Sequence, residues 1–178
     1  MAVSRRRVLR WATGLAVVAW MAVIFCVSAQ TGSDSGGMSR GVADGLLSLW
    51  SALTGASFEG ATRDAAIEAL QLPIRKGAHM AEYALLAVLA FAHLLTYERW
   101  TSGRGQGPPV AAGGSLLQPA LLAWTFAALY AATDEFHQLF VPARAGLITD
   151  VLVDSAGALL GVLLACTVVH AFYRRRTR

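Results

Sequence analysis

Charged side chains are scarce in this chain of 178 residues. Asp, Glu, Lys and Arg make up 15% of it, whereas about a quarter is usual in a soluble domain. Hydrophobic residues make up 56%. This composition excludes an ordinary soluble domain and predicts an all-α integral membrane protein.

Cysteine is also rare, with only Cys26 and Cys166 in the chain. They lie at different depths of the predicted spans, which favours apolar packing over a disulfide or metal framework. The metal-ligand types in His79-x-x-Glu82 and Glu135-x-His137 lack the tight spacing of a zinc motif. We therefore predict no metal and no cofactor.

Long apolar runs are abundant by contrast. A run of about 20 apolar residues crosses the hydrocarbon core of a bilayer. Four such runs stand at Val8–Val27, Ile74–Thr96, Leu116–Val141 and Leu147–Tyr173. They predict a four-helix transmembrane bundle that occupies residues 1–178 as a single domain.

Arginines at both ends of the chain indicate how the bundle is oriented. Clusters of Lys and Arg beside a span hold that flank in the cytoplasm, which predicts that both termini are cytoplasmic. The same positions explain the basic composition without a nucleic-acid partner. The loop Thr31–Pro73, with five acids and two arginines, is then extracytoplasmic, and the Gly/Pro-rich loop Tyr97–Ser115 is cytoplasmic.

The first span also resembles a secretory signal, because a basic segment precedes it and Val27-Ser28-Ala29 would suit a signal peptidase. Its apolar run exceeds the roughly 7–15 residues of a signal core, however. We therefore predict an uncleaved membrane anchor.

The outer loop contains a segment with helical periodicity between Ser39 and Gly55. Apolar residues recur at i, i+4, i+7, i+8 and i+11, namely Val42, Leu46, Leu49, Trp50 and Leu53. The pattern predicts an amphipathic helix with Ser39 as N-cap and Gly55 as its stop. Its apolar face suits either the outer leaflet or a lid packed on the bundle. A weaker helical stretch covers Glu59–Leu72, and Pro73 is predicted to start the second span.

Strongly polar residues interrupt the last three apolar runs. A charged side chain near the middle of a bilayer costs about 2.5–3.5 kcal/mol on insertion scales, so such residues usually face a protein interior and mark function. A helix rises about 1.5 Å per residue, and with the predicted topology these residues reach one layer in the outer half of the membrane. The predicted ligand-binding residues are Lys76, His79, Glu82, Tyr83, Asp134, Glu135, Gln138, Arg144, Asp150 and Asp154.

Two glycines continue the acidic stripe of the last span. Asp150, Asp154, Gly157 and Gly161 follow one another at i, i+4, i+7 and i+11, on one side of a helix. Gly157 and Gly161 form a small-xxx-small pair, which predicts a close contact with another helix.

Acids outnumber bases in this layer, with Glu82, Asp134, Glu135, Asp150 and Asp154 against Arg75, Lys76 and Arg144. The excess acid must be protonated, hydrated or paired with a cationic ligand. An internal ion-pair network, for instance Lys76 with Glu82 or Arg144 with Asp150, is the structural alternative. The layer has no Ser or Cys nucleophile beside a His, which argues against an acyl-transfer triad.

Several motifs resemble those of the VanZ-like membrane proteins. They are Ser28-Ala29-Gln30, the run RKGAHMAEY from Arg75 to Tyr83, the run DEFHQ from Asp134 to Gln138, and Val141-Pro142-Ala143-Arg144 with Asp150 and Gly157. The resemblance covers nearly the whole chain; Ala143 stands where the family often has Gly, and Asp154 where Asn is common. It implies a bacterial inner-membrane protein whose matched polar residues face the envelope. Because the family's namesake is associated with teicoplanin resistance, it also implies a contribution to glycopeptide resistance.

Three functions fit these observations. The first is an outer-leaflet pocket that binds an amphiphile, either a membrane lipid, a lipid-linked precursor or a lipoglycopeptide, with Lys76 and Arg144 holding anionic groups. The second is an intramembrane acid/base or metal-assisted enzyme, for which His79, Glu82 and Asp134 are the catalytic candidates. The third is a proton-coupled transporter, which with four spans would require an oligomer.

Overall fold

The computed structural model describes residues 5–97 and 115–176. Within them the chain forms five helices and no strand: α1 (Arg5–Ser28), α2 (Gly32–Thr54), α3 (Gly60–Leu94), α4 (Leu117–Gln138) and α5 (Ile148–Arg176). The all-α prediction is confirmed for this part of the chain. Most of the predicted cytoplasmic loop Tyr97–Ser115 lies outside the described residues.

Three of the described helices are long and apolar enough to cross a membrane: α1, α3 and, as far as Phe172, α5. They correspond to the first, second and fourth predicted spans. The third predicted span is covered by α4, which does not belong to this set. Polar residues stand near both of its ends, Gln118 at the start and Asp134, Glu135 and Gln138 at the finish.

Hydrogen bonds show that α1 and α3 run in opposite directions. Trp20 Nε1 donates to Glu82 O at 2.9 Å. Closer to the start of α1, Thr13 Oγ1 lies 2.9 Å from His93 Nδ1, near the end of α3. Early residues of one helix therefore meet late residues of the other.

The fourth helix is parallel to α1. The Tyr130 hydroxyl donates to Met21 O at 2.7 Å, and further along both helices Ser28 Oγ donates to Asp134 Oδ2, also at 2.7 Å. Since α1 is antiparallel to α3, α4 is antiparallel to α3 as well. The end of α1 and the end of α4 thus lie at the same end of the bundle.

Glycines bring α3 and α5 into contact, and these two helices are parallel. A Cβ added to Gly157 would lie 2.7 Å from Met80 Cα, and one added to Gly161 would lie 2.8 Å from Ala84 Cα. Such distances leave no room for a side chain, so the two backbones touch. The close contact predicted for Gly157 and Gly161 is confirmed, and α3 is the partner.

The four helices α1, α3, α4 and α5 enclose one apolar core. Small residues dominate the α4 side, where alanines recur at every fourth position and allow neighbouring helices to approach closely. The buried core residues are Val17, Ile24, Tyr83, Leu86, Ala87, Ala90, Phe91, Ala123, Ala127, Ala131, Ala158 and Val162.

Pro73 lies inside α3, which is a single helix of 35 residues. The prediction that Pro73 begins the helix of the second span was wrong, because the weaker helix predicted before it and the helix predicted after it are continuous. A proline inside a helix removes a backbone hydrogen bond and usually kinks or ends the helix. Here Ile67, Leu70 and Ile74 pack against α2 on both sides of the proline, which holds the helix together.

The second helix begins earlier than the periodicity predicted. Its N-cap is Thr31, whose side chain accepts a hydrogen bond from Asp34 N at 3.3 Å. The predicted N-cap, Ser39, is instead a buried residue in the middle of the helix. The predicted stop is confirmed, since Gly55 caps the helix with a left-handed φ of 73°.

The apolar face predicted for α2 does not pack on the bundle. Its residues Val42, Leu46, Leu49, Trp50 and Leu53 are between 49% and 76% exposed. A neighbouring face of α2, which includes Ala43 and Leu47, packs on α3 instead. The apolar face therefore does not form the lid that was the alternative to a membrane-surface helix.

Candidate functional site

The helix directions bring the predicted polar residues together at one end of the bundle. There α1 and α4 end, α5 begins, and α3 passes through. All ten predicted ligand-binding residues lie in this region, here called the polar layer: Lys76, His79, Glu82, Tyr83, Asp134, Glu135, Gln138, Arg144, Asp150 and Asp154. Residue spacing therefore predicted that these side chains lie together, and their ligand-binding role stays a prediction.

One side of the layer, here called the mouth, is partly exposed. Lys76 Nζ and Asp150 Oδ1 form an ion pair at 2.6 Å, and their side chains are 34% and 29% exposed. This pair replaces both of the ion pairs that were considered from the sequence. The predicted role of Lys76 in holding an anion therefore requires its release from Asp150.

His79 and Glu82 complete the mouth one turn further along α3. His79 Nδ1 lies 3.8 Å from Glu82 Oε2, an ion pair only when the histidine is protonated, and the side chains are 17% and 19% exposed. Among the described residues neither of these two atoms has a hydrogen-bond partner. These two atoms are therefore buried and without a partner, although the side chains that carry them are partly exposed.

A hydrogen-bonded chain links the ends of α1 and α4 behind the mouth. Asp134 Oδ2 accepts from Ser28 Oγ at 2.7 Å and from Gln138 Nε2 at 3.3 Å. Arg144 donates through one terminal nitrogen to Gln138 Oε1 at 3.4 Å and through Nε to Gln30 O at 3.2 Å. The Arg144 guanidinium is therefore fixed in place by neutral groups.

Burial, and after it the nearby Arg75, lower the pKa of Arg144 from its ordinary value, while the carboxylates of Asp134, Glu135 and Glu82 oppose this shift. A guanidinium stays charged in proteins despite such shifts. Arg144 is therefore a permanent positive charge at the edge of the polar layer, in the loop between α4 and α5.

Ser28 is the member of this chain of bonds that the site prediction missed. It is fully buried, and it makes the only side-chain bond from α1 to a carboxylate within the described residues of the layer. The motif Ser28-Ala29-Gln30, one of those that carry the family resemblance, could have indicated that Ser28 belongs to the site. Nothing in residue spacing, however, predicts that the end of the first span meets the third.

Glu135 acts as a cap for the next helix. Its Oε2 accepts a hydrogen bond from Leu147 N at 3.0 Å, immediately before α5 begins at Ile148. A carboxylate at the N-terminus of a helix stabilises the unpaired amides and the positive end of the helix dipole. Its position indicates a structural role more directly than a ligand-binding one.

The interior of the layer holds buried oxygen atoms that have no partner among the described residues. They are Asp134 Oδ1 and both carboxylate oxygens of Asp154, and the Tyr83 hydroxyl lies beside Asp134. The three residues lie within electrostatic range of one another. Buried polar atoms are normally hydrogen-bonded, so these oxygens face a proton, a water molecule or a ligand.

The catalytic candidates His79, Glu82 and Asp134 are brought near one another, since both other groups lie within electrostatic range of Asp134. Within residues 5–97 and 115–176, no three His, Cys, Asp or Glu side chains are arranged to hold a metal ion. The arrangement is suited to binding a polar group that carries positive charge and donates hydrogen bonds, because acceptors outnumber donors.

These features define a class of small helical membrane-type proteins with an acidic polar layer near one end of the bundle. The VanZ/LLP1 family model matches residues 13–170, and the chain belongs to that family. Searches among curated proteins and among solved structures found no match to this chain. The resemblance stated from the motifs is thereby confirmed over most of the chain.

Proposed function

We propose that this protein binds the polar head of an amphiphile at the outer face of the bacterial inner membrane and contributes to resistance against glycopeptides of the teicoplanin type. The ligand is a membrane lipid, a lipid-linked envelope precursor or a lipoglycopeptide. The main support is the excess of acid in the polar layer, because buried carboxylates without a cationic partner need compensation that a ligand amine can supply.

The membrane arrangement in this proposal has four spans. Since α3 and α5 are parallel and touch along their length, the chain must return through the same thickness between them. The only described helix between them is α4, whose 22 residues give a length of about 33 Å, enough for a hydrocarbon core of about 30 Å. We therefore assign α4 as a span despite its polar ends.

The arginines of both tails favour cytoplasmic termini, and with that orientation the polar layer would lie in the outer half of the bilayer. This arrangement also retains α1 as an uncleaved anchor. Its support is packing, because α1 contributes Val17 and Ile24 to the core and Ser28 to the polar layer.

The exposed face of α2 lies on the outer leaflet in this arrangement. Two ion pairs on the side of α2 that faces α3, Arg40 with Asp64 and Asp44 with Arg63, leave the apolar face without a charged residue. Helices with this separation of faces lie at the membrane interface, where a tryptophan such as Trp50 is favoured.

Ligand binding would proceed from the mouth inwards. A cationic group of the ligand replaces Lys76 as the partner of Asp150 or approaches the unpartnered oxygen of Glu82, while an anionic group bonds to the released Lys76 or to Arg144. The apolar part of the ligand stays in the outer leaflet. The proposal thus explains why ionisable groups of both signs occur at one depth.

Single substitutions in the polar layer test this function. Lys76→Met, His79→Ala, Glu82→Gln, Asp134→Asn and Arg144→Gln are each expected to restore teicoplanin susceptibility to that of cells without the protein, while the protein still accumulates. Susceptibility is measured beside abundance by immunoblot. The matched control is Asp64→Asn, which breaks the exposed Arg40–Asp64 ion pair and should change neither quantity.

A purely structural network gives a different result. Removing one partner of a buried ion pair typically costs about 3–5 kcal/mol because the other charge is left uncompensated, and it costs less where the pair is partly exposed, as Lys76 and Asp150 are. Loss of protein in Lys76→Met, with recovery of protein and resistance in Lys76→Met/Asp150→Asn, would therefore refute the binding site and support the network.

A further inference from the structure

Asp154 is the most deeply buried acidic residue in the described part of the protein. Its residue is 1% exposed, and both carboxylate oxygens lack a hydrogen-bond partner among the described residues. An ionised carboxylate in such surroundings costs several kcal/mol unless a cation or hydrogen-bond donors compensate it. Something besides the described side chains therefore has to neutralise it.

The groups around Asp154 increase its need for a neutralising partner. Glu82 faces it from α3, Asp134 and Glu135 from α4, and Asp150 from its own helix, and all four of these groups are acids. Tyr83 of α3 lies in range as well.

The neighbouring cations are already bonded to other groups. Lys76 pairs with Asp150, and Arg144 bonds to Gln30 and Gln138. The described acids are also not placed to hold a metal ion jointly. A proton needs only one carboxylate, so it is the cation that fits this geometry.

The surroundings of Asp154 differ between the two directions along α5. Towards the middle of the bundle, Gly157 and Gly161 press directly against the backbone of α3, which leaves no passage between α3 and α5. In the other direction lie Asp150 and Lys76, both partly exposed. The partly exposed side nearest to Asp154 is therefore the mouth, one helical turn away.

We propose that Asp154 is a proton-binding site that exchanges with the outer face of the membrane through the Lys76–Asp150 mouth. The proton is taken from water at the mouth and returns there on release. This inference goes beyond the proposed function, since it holds whether or not a ligand binds. It implies that a cationic group entering the layer displaces a proton, so that occupancy depends on external pH.

The test uses dicyclohexylcarbodiimide, an apolar reagent that modifies protonated carboxylic acids within membranes. Right-side-out and inside-out membrane vesicles containing the full-length protein are treated over a series of external pH values, and modified residues are located by peptide mass spectrometry. In right-side-out vesicles, we expect modification of Asp154 to decline as the external pH rises. In inside-out vesicles, we expect its modification to depend only weakly on the external pH. Asp150, one turn earlier and paired with Lys76, is the internal control and should stay unmodified.

Three results would overturn the inference. An unmodified Asp154 beside a modified Asp134 or Glu82 would place the proton elsewhere. If no carboxylate of the polar layer is modified at any pH, the layer contains no proton-binding site. If the modification of Asp154 depends on external pH only in inside-out vesicles, the exchange path opens to the cytoplasm. Because no ligand is added and every site is read in the unsubstituted protein, these results are independent of glycopeptide resistance and of variant folding.

Discussion

Ala143 has a φ angle of 58°, in the left-handed region, and it is the one non-glycine residue with positive φ in the described ranges. A side chain in this conformation costs about 1–2 kcal/mol. The loop tolerates it because its neighbours are fixed: Pro142 O accepts from Gly32 N at 3.2 Å, and Arg144 bonds to the end of α1. The strain therefore lies beside the polar layer, in the segment that joins α4 to α5.

Replacing this residue by glycine should raise stability. Ala143→Gly removes the strain, and the greater freedom of glycine in the unfolded chain offsets about 0.4–1 kcal/mol of the gain, leaving a net gain of at most about 1.6 kcal/mol. Thermal unfolding in detergent would show a higher Tm. Ala78→Gly, at an exposed position inside α3, is the control and should lower it. Equal losses in the two variants would mean that the Ala143 backbone is not strained.

For single residues, the sequence predicted which side chains lie in the polar layer better than it predicted which of them form ion pairs. Which residues reach the layer follows from helix rise and facing, which are constant. The partner of Lys76 depends on rotations and offsets between α3 and α5, and these are fixed by the contacts at Gly157 and Gly161. Spacing within one helix carries no information on such offsets, so the pairing with Asp150 could not be derived.

Among the helices, α5 has one side that packs tightly and one side that is exposed. Its glycines lie against α3, whereas Ala156, Leu159 and Leu160 are exposed. A larger side chain should therefore have opposite consequences on the two sides, and this gives a direct test of the helix contact.

Gly157→Leu and Gly161→Leu should each sharply reduce the folded yield in detergent, because a leucine would force α5 away from Met80 and Ala84. Ala156→Leu, on the exposed side of the same turn, should leave the yield unchanged. Size-exclusion chromatography of purified protein measures the monodisperse fraction. Normal yields for both glycine variants would contradict a tight α3–α5 contact.

The limits of α2 and α3 show why periodicity alone misplaces helix ends. Gly36 and Gly37 lower the helical signal before Ser39, but Thr31 caps a helix that runs through them. Likewise Pro73 would normally mark a boundary, but packing on α2 extends across it. In both cases tertiary contacts outweigh a local preference of about 1 kcal/mol for Gly and about 3 kcal/mol for Pro.

Across the whole molecule, four apolar runs and the arginines at both ends predicted an alternating order of spans, and in the described residues α1 and α4 run opposite to α3 and α5. In the proposed arrangement these directions follow because a bilayer of fixed thickness makes the chain cross and return. The packing of α2 along α3 was not predicted, since the segment that contains α2 is under no such constraint.

Cysteine labelling of intact cells tests the arrangement. In a background without Cys26 and Cys166, a membrane-impermeant maleimide should react quickly with cysteine at Ser48 or Ser57, slowly at Leu49, and at Gln106 only after permeabilisation. Ser48 is the matched control for Leu49, since it lies on the charged side of α2, bonded to Arg63. External labelling at Gln106 would invert the topology, and fast labelling at Leu49 would place the apolar face in water.

The direct backbone contact between α3 and α5 also has a consequence for synthesis. Helix α5 is translated after α3 and α4, so in the proposed arrangement a nascent chain carries Glu82 and Asp134 into the membrane before Asp154, Gly157 and Gly161 have arrived. During that interval one flank of α3 has no partner, and its acids face lipid or the insertion machinery. We therefore expect that a ribosome stalled before Ile148 releases a product that membrane proteases recognise, whereas completion of one more helix makes the same carboxylates inaccessible.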